Sequence, residues 1–285
     1  MSEQVLDLNS IPRSRRHALV FPREHGAWGM MLVPLLTGGI LGLLRGGHLD
    51  PVVLLTLACL ALFWLRTPVE TLLGTSLMRA QTPEERHLAW RYTISFSLLA
   101  TLLIGALFWG GSARGLAILG GVAALTFLAQ AGIRRLGRTW RMPAQLIGAI
   151  SLTSTAPAAY YVATGSLDKV ALALWLANWL FAGDQIHYVQ VRIHSANLSE
   201  RGEKLRQGRA FLLGHAILVA VLFAAWSENW LPALAVIAFV PVVVRGLAWY
   251  LQARTPLVVR RLGWTEMVHA VVFGTLLIVG FHIHF

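Results

Sequence analysis

The chain reads as a series of long apolar runs separated by short polar connections. Stretches free of Asp, Glu, Lys and Arg cover 26–44, 51–65, 92–113, 115–133, 142–167, 170–183, 210–227, 229–244 and 267–285. A bilayer core takes about 20 mainly apolar residues per helix. Helices that are apolar all round suit lipid or a protein core, not water. The pattern predicts an all-α, polytopic integral membrane bundle of nine transmembrane helices, spans 1 to 9 below. The glycines between Trp109 and Gly115 predict a tight turn between spans 3 and 4. Pro51, Pro143 and Pro232 sit near helix starts, where a missing N–H does no harm.

Composition agrees with that solvent. Of 285 residues 56% are hydrophobic and 13% charged, and the mean hydropathy is +0.62. Soluble domains carry roughly twice that share of charge. A water-exposed globule, a disordered chain and a coiled coil are therefore excluded. The single cysteine, Cys59, excludes an internal disulfide framework. The first 25 residues contain no apolar core of signal-peptide type and read as a basic cytosolic arm, with residues 26–285 as one transmembrane domain.

The net charge of +11 would point to nucleic acid in a soluble protein, but here position decides. All but three of the 24 Lys and Arg fall in the arm or in the connections after spans 2, 4, 6 and 8; Arg45, Arg114 and Lys169 are the exceptions. Basic loops stay in the cytoplasm. The expected topology is N-terminus cytoplasmic and C-terminus outside, in a bacterial inner membrane. The positive charge then serves orientation and contact with anionic membrane lipids, with no nucleic-acid partner.

Spans 2, 6 and 8 are too short to cross without including ionisable residues at their cytoplasmic ends. Extended to bilayer length, span 2 takes in Arg66 and Glu70, span 6 takes in Asp184 and His187, and span 8 takes in Arg245. Glu266 and His269 begin span 9, and Arg23, Glu24 and His25 precede span 1. Charges at such depth usually face a protein interior or a wet cavity. A polar pocket open to the cytoplasm is expected, walled by spans 1, 2, 6, 8 and 9. Arg66 and Glu70 share a helix face, as do Asp184, His187 and Tyr188. A plain reading competes: Arg66–Glu70 is a local ion pair and the arginines snorkel. Acidic residues snorkel poorly, so Glu70 and Asp184 favour function.

The expected roles are Glu70, Asp184 and His187 as catalytic groups, and Arg66, Arg192, His25, Tyr188 and Glu266 as substrate-binding groups. No His pair has metal-ligand spacing, and no transition-metal site is expected. Mg²⁺ between Glu70 and Asp184 is the cofactor candidate. Phosphate-binding glycine loops, a serine elbow and paired cysteines are absent from the sequence. Trp28, Trp109, Trp175, Trp226 and Trp230 read as interfacial anchors.

Four segments resemble the YwiC-like bacterial membrane proteins. They are Phe-Pro-Arg-Glu-His-Gly-Ala-Trp at 21–28, Arg66-Thr67-Pro68, Val189-Gln190-Val191-Arg192-Ile193, and Leu262-Gly263-Trp264-Thr265-Glu266. A more distant similarity is to the UbiA superfamily of intramembrane prenyltransferases. It implies a UbiA-like fold of nine helices, a cytosolic N-terminus, and catalytic loops after helices 2 and 6. That family's first motif, N-D-x-x-D-x-x-x-D, holds Mg²⁺ and a prenyl diphosphate. The matching positions here are Arg66, Thr67, Glu70 and Gly74, so one carboxylate is kept; in the second motif Asp184 matches and is followed by His187, Tyr188 and Arg192. Two Mg²⁺ ions need several carboxylates, so the similarity carries the architecture further than the chemistry.

Three functions stay open at this point. The first is binding or modification of an isoprenoid-like lipid with an anionic head, gripped by Arg66 and Arg192, with Glu70 and Asp184 as acid–base groups. The second is transport of a small anion or a proton-coupled solute. The third is a non-catalytic membrane scaffold that docks through residues 195–208.

Overall fold

A computed structural model describes residues 11–21, 25–74, 79–196, 198, 200–252 and 257–284; the side chains of residues 25–27 and 138 lie outside that description. Every described regular element is helical, and each of the nine apolar runs falls mostly on helix. Six helical stretches are long and apolar enough to cross a membrane: 49–72, 83–134, 141–164, 209–227, 233–251 and 259–284. The chain is a polytopic helical membrane protein. The stretch 83–134 contains two of the nine expected spans. They join through a π-turn, Phe108–Ser112, in which Gly111 breaks the helix with φ +92°. Two expected spans fall outside the six. Trp28–Leu44 is a shorter apolar helix. The helix at Lys169–His194 has length enough, but its last third is polar.

Contacts divide the chain into two compact units, residues 1–24 with 49–113, and residues 25–48 with 114–285. In the first, helix α1 (Arg13–Val20) packs on α3 (Leu49–Leu72) and α4 (Pro83–Leu107). The basic arm expected at 1–25 therefore contains an anchored helix, with Ala18, Leu19 and Val20 buried. Thr82, Pro83 and Glu85 explain the start of α4. Thr82 Oγ1 accepts from Glu85 N at 3.3 Å, and the Glu85 carboxylate accepts from Gln81 N at 2.7 Å, close to a capping box. Arg15 closes the arrangement with two bonds to Glu85, one of them 3.0 Å from Nη2 to Oε2. Phe21 meets Trp64 edge-on, and Trp64 continues to Phe96.

The second unit comprises α2 (His25–Leu44), α5 (Ala113–Arg134, from Arg114 on), α6 (Arg141–Thr153), α7 (Thr155–Thr164), α8 (Lys169–His194), α9 (Arg201–Gln207), α10 (Arg209–Ser227), α11 (Ala233–Ile237), α12 (Val240–Leu251) and α13 (Val259–His284). Small residues let these backbones approach. A Cβ on Gly38 of α2 would run into the Ala156 carbonyl of α7, and one on Gly280 of α13 would sit 2.7 Å from Ala235 N of α11. Helix α8 packs on α2, α6, α7, α10 and α12. Asp168 starts it by accepting from Val170 N and Ala171 N at 2.9 and 3.0 Å. Trp175 and Trp179 donate to Ile150 O and Leu146 O of α6 at 3.2 and 3.0 Å. Trp175, expected as an interfacial anchor, thus spends its N–H inside the bundle. Polar pairs hold α8 to α2 as well: Asn178 Nδ2 donates to Thr37 Oγ1 at 3.1 Å.

Candidate functional site

Four helices of the second unit bring ionisable side chains together: Asp184 on α8, His215 on α10, Arg245 on α12 and Glu266 on α13. Arg245 lies between the two carboxylates. Its Nη2 donates to Asp184 Oδ2 at 2.7 Å and its Nη1 donates to Glu266 Oε2. His215 Nδ1 stands 3.4 Å from Asp184 Oδ1. The side chains of Asp184 and Arg245 are 2% and 9% exposed. Charges that deep persist only when paired. Two further contacts fix the geometry. Tyr188, one turn after Asp184, places its ring 4.0 Å from the Arg245 guanidinium, and Gln185 Nε2 donates to Glu266 O at 2.8 Å.

The cluster is not saturated. Arg245 Nε, Glu266 Oε1 and His215 Nε2 are buried without a partner among the described residues. Nearly all buried polar atoms in proteins find one. One guanidinium facing two carboxylates also leaves an excess of negative charge unless a proton is held there. Gly246 of α12 makes room for His215, because any Cβ there would meet the imidazole.

An apolar groove opens beside the cluster. It runs between α10 and α12 as a shallow depression of about 630 Å³ open to the surface, and is lined by Leu212, His215, Val219, Ala220, Val243 and Leu247 among others. His215 therefore belongs to both places, forming wall for the groove and contact for Asp184. A second, much smaller void of about 10 Å³ touches Asn178 and Gln185, room for about one water.

The expected site residues distribute as follows. Asp184, Tyr188 and Glu266 converge on Arg245. His187 is half-buried and meets Phe211 edge-on at 5.3 Å, one turn away from the carboxylates. Arg192 lies two turns beyond Asp184 on α8. Glu70 and Arg66 belong to the first unit, where Arg66 Nε donates to Glu70 Oε1 at 2.8 Å, the local pair that spacing predicts. The His25 side chain lies outside the described residues. The sequence places Arg245 at depth without a role and leaves His215 without one. Their shared signal was a titratable group inside or at the edge of an apolar run, which identifies no partner.

The donor set suits an organic ligand or a proton better than Mg²⁺. Asp184 and Glu266 already flank a guanidinium, and Glu70 is engaged by Arg66. Among the described residues no three or more His, Cys, Asp or Glu converge for a metal.

Residues 21–160 match the family model described as YwiC-like protein. The chain is also similar to the uncharacterized protein YwiC of Bacillus subtilis (strain 168). The two are 26% identical over 264 residues, covering 89% of this chain and 95% of that protein. The motifs at 21–28 and 66–68 lie inside the family match, and those at 189–193 and 262–266 lie beyond it.

Proposed function

We propose that this protein binds a membrane lipid with a long, isoprenoid-like chain and presents its polar end to the Asp184–Arg245–Glu266–His215 cluster. One observation carries the reading: His215 lines the apolar α10–α12 groove and also contacts Asp184. The depression is apolar apart from His215 and open to the surface, which suits a lipid chain lying along α10 and α12 with one end at the imidazole. In this reading the chain crosses a bacterial inner membrane nine times with its N-terminus in the cytosol, as the alternation of basic connections implies.

The carboxylate–imidazole pair gives the site acid–base capacity. Asp184 would orient the His215 imidazole, while Arg245 and Tyr188 hold Asp184 in place. Membrane lipids are the partners throughout, and no nucleic acid takes part. Native mass spectrometry of the full-length protein released from mild detergent tests the reading. A bound long-chain lipid is expected on the wild type and at least tenfold less on Ala220→Trp, which fills the groove. Equal lipid loads on both, or none on either, overturn it.

A further inference from the structure

The far end of α8 carries a second cluster of different sign. Lys204 of α9 is 3% exposed, donates from Nζ to Gln252 O at 2.7 Å, and lies 5.6 Å over the Trp249 ring. Arg192 of α8 is close enough to Lys204 to repel it electrostatically. Neither has a carboxylate within ion-pair distance among the described residues. Arg192 Nε is buried without a partner there, and so is the hydroxyl of Ser195, a residue 4% exposed that caps the C-terminal end of α8. A buried ammonium beside a half-buried guanidinium, with no counter-charge among the described residues, is costly. The leftover donors match what a phosphate oxyanion accepts.

We propose that Arg192, Lys204 and Ser195 form a binding site for a phosphate group. The inference rests on the lipid-binding reading when the phosphate is a lipid head, and stands apart from it when the phosphate is free in the cytosol. Tyr188 connects the two places on α8, standing one turn before Arg192 with its ring 4.0 Å from the Arg245 guanidinium. Arginine offers a planar fork to the oxyanion and lysine a point charge, so the pair can bind without base or sugar contacts.

The test uses the full chain in nanodiscs and reads both sources. Discs of phosphatidic acid or phosphatidylcholine are compared for lipid retained after transfer to detergent, and inorganic phosphate is added to the delipidated protein while its unfolding midpoint is followed. The expected results are at least tenfold preference for phosphatidic acid, a rise in midpoint with phosphate, or both. Lys204→Met and Arg192→Gln should abolish whichever is seen, and Lys204→Arg should keep it. Lys204→Met retains the apolar stem over Trp249, and the midpoint without phosphate reports whether each variant is folded. Preference with no phosphate response identifies the lipid head, and the reverse identifies the free ion. Unchanged binding in folded Lys204→Met and Arg192→Gln overturns the proposal, as does the absence of both responses in the wild type. Ala220→Trp separates the two readings: it should remove the lipid chain and leave the phosphate response intact.

Discussion

Arg245 of α12 donates to Asp184 of α8 across 2.7 Å while its second terminal nitrogen holds Glu266 of α13. One guanidinium thereby ties three helices together in an interior where each charge alone would be unstable. Removing it leaves two buried carboxylates facing each other. Breaking such a pair costs about 3–5 kcal/mol, whereas replacing all members with neutral groups of similar volume is often close to neutral. Arg245→Met should therefore lower the unfolding midpoint sharply. The triple variant Arg245→Met/Asp184→Asn/Glu266→Gln should recover most of the loss. Thermal unfolding in detergent checks both, and a triple variant no better than the single one would show that the charges matter less than the shape.

Much of this was legible in the chain. The apolar runs located the helices, and the shortness of spans 6 and 8 announced that Asp184 and Arg245 would be buried. Pairing was not legible, because a charge inside an apolar run says it needs a partner without saying which helix provides it. Glu70 shows the converse: its i−4 neighbour Arg66 was readable locally, and that local pair is what forms. Helix α1 escaped the sequence reading because only Ala18, Leu19 and Val20 are buried, too few to stand out from a basic background.

Close approach of α2 and α7 depends on Gly38. A methyl group there would meet the Ala156 carbonyl, which is backbone and cannot rotate aside. Overpacking of this kind costs about 1–3 kcal/mol. Gly38→Ala should lower the midpoint measurably, while Gly105→Ala, with open space around its Cα, should not.

Burial and the neighbouring Arg192 hold the Lys204 ammonium below the usual lysine range. The folded state then binds fewer protons than the unfolded chain once pH passes the lowered Lys204 value, and stability rises with pH from there toward the unfolded lysine value of about 10.4. Measured without phosphate, the midpoint of the wild type should gain on that of Lys204→Met between neutral pH and about 10. A constant difference would mean that Lys204 titrates normally.

Anchoring of α1 runs through Glu85, which is 4% exposed and receives both bonds from Arg15. Glu85→Ala should free α1, and trypsin should then cut at Arg13, Arg15 and Arg16 several times faster. The wild type should resist at Arg15 and Arg16.

A photoactivatable long-chain lipid probe, crosslinked in the native membrane and mapped by peptide mass spectrometry, tests the lipid-binding groove most directly. Labelling concentrated on residues 212–223 of α10 and 243–247 of α12, and competed away by unlabelled lipid, is the predicted result. Label spread evenly over exposed apolar positions such as Leu125, Leu128 and Val268, without competition, would contradict it.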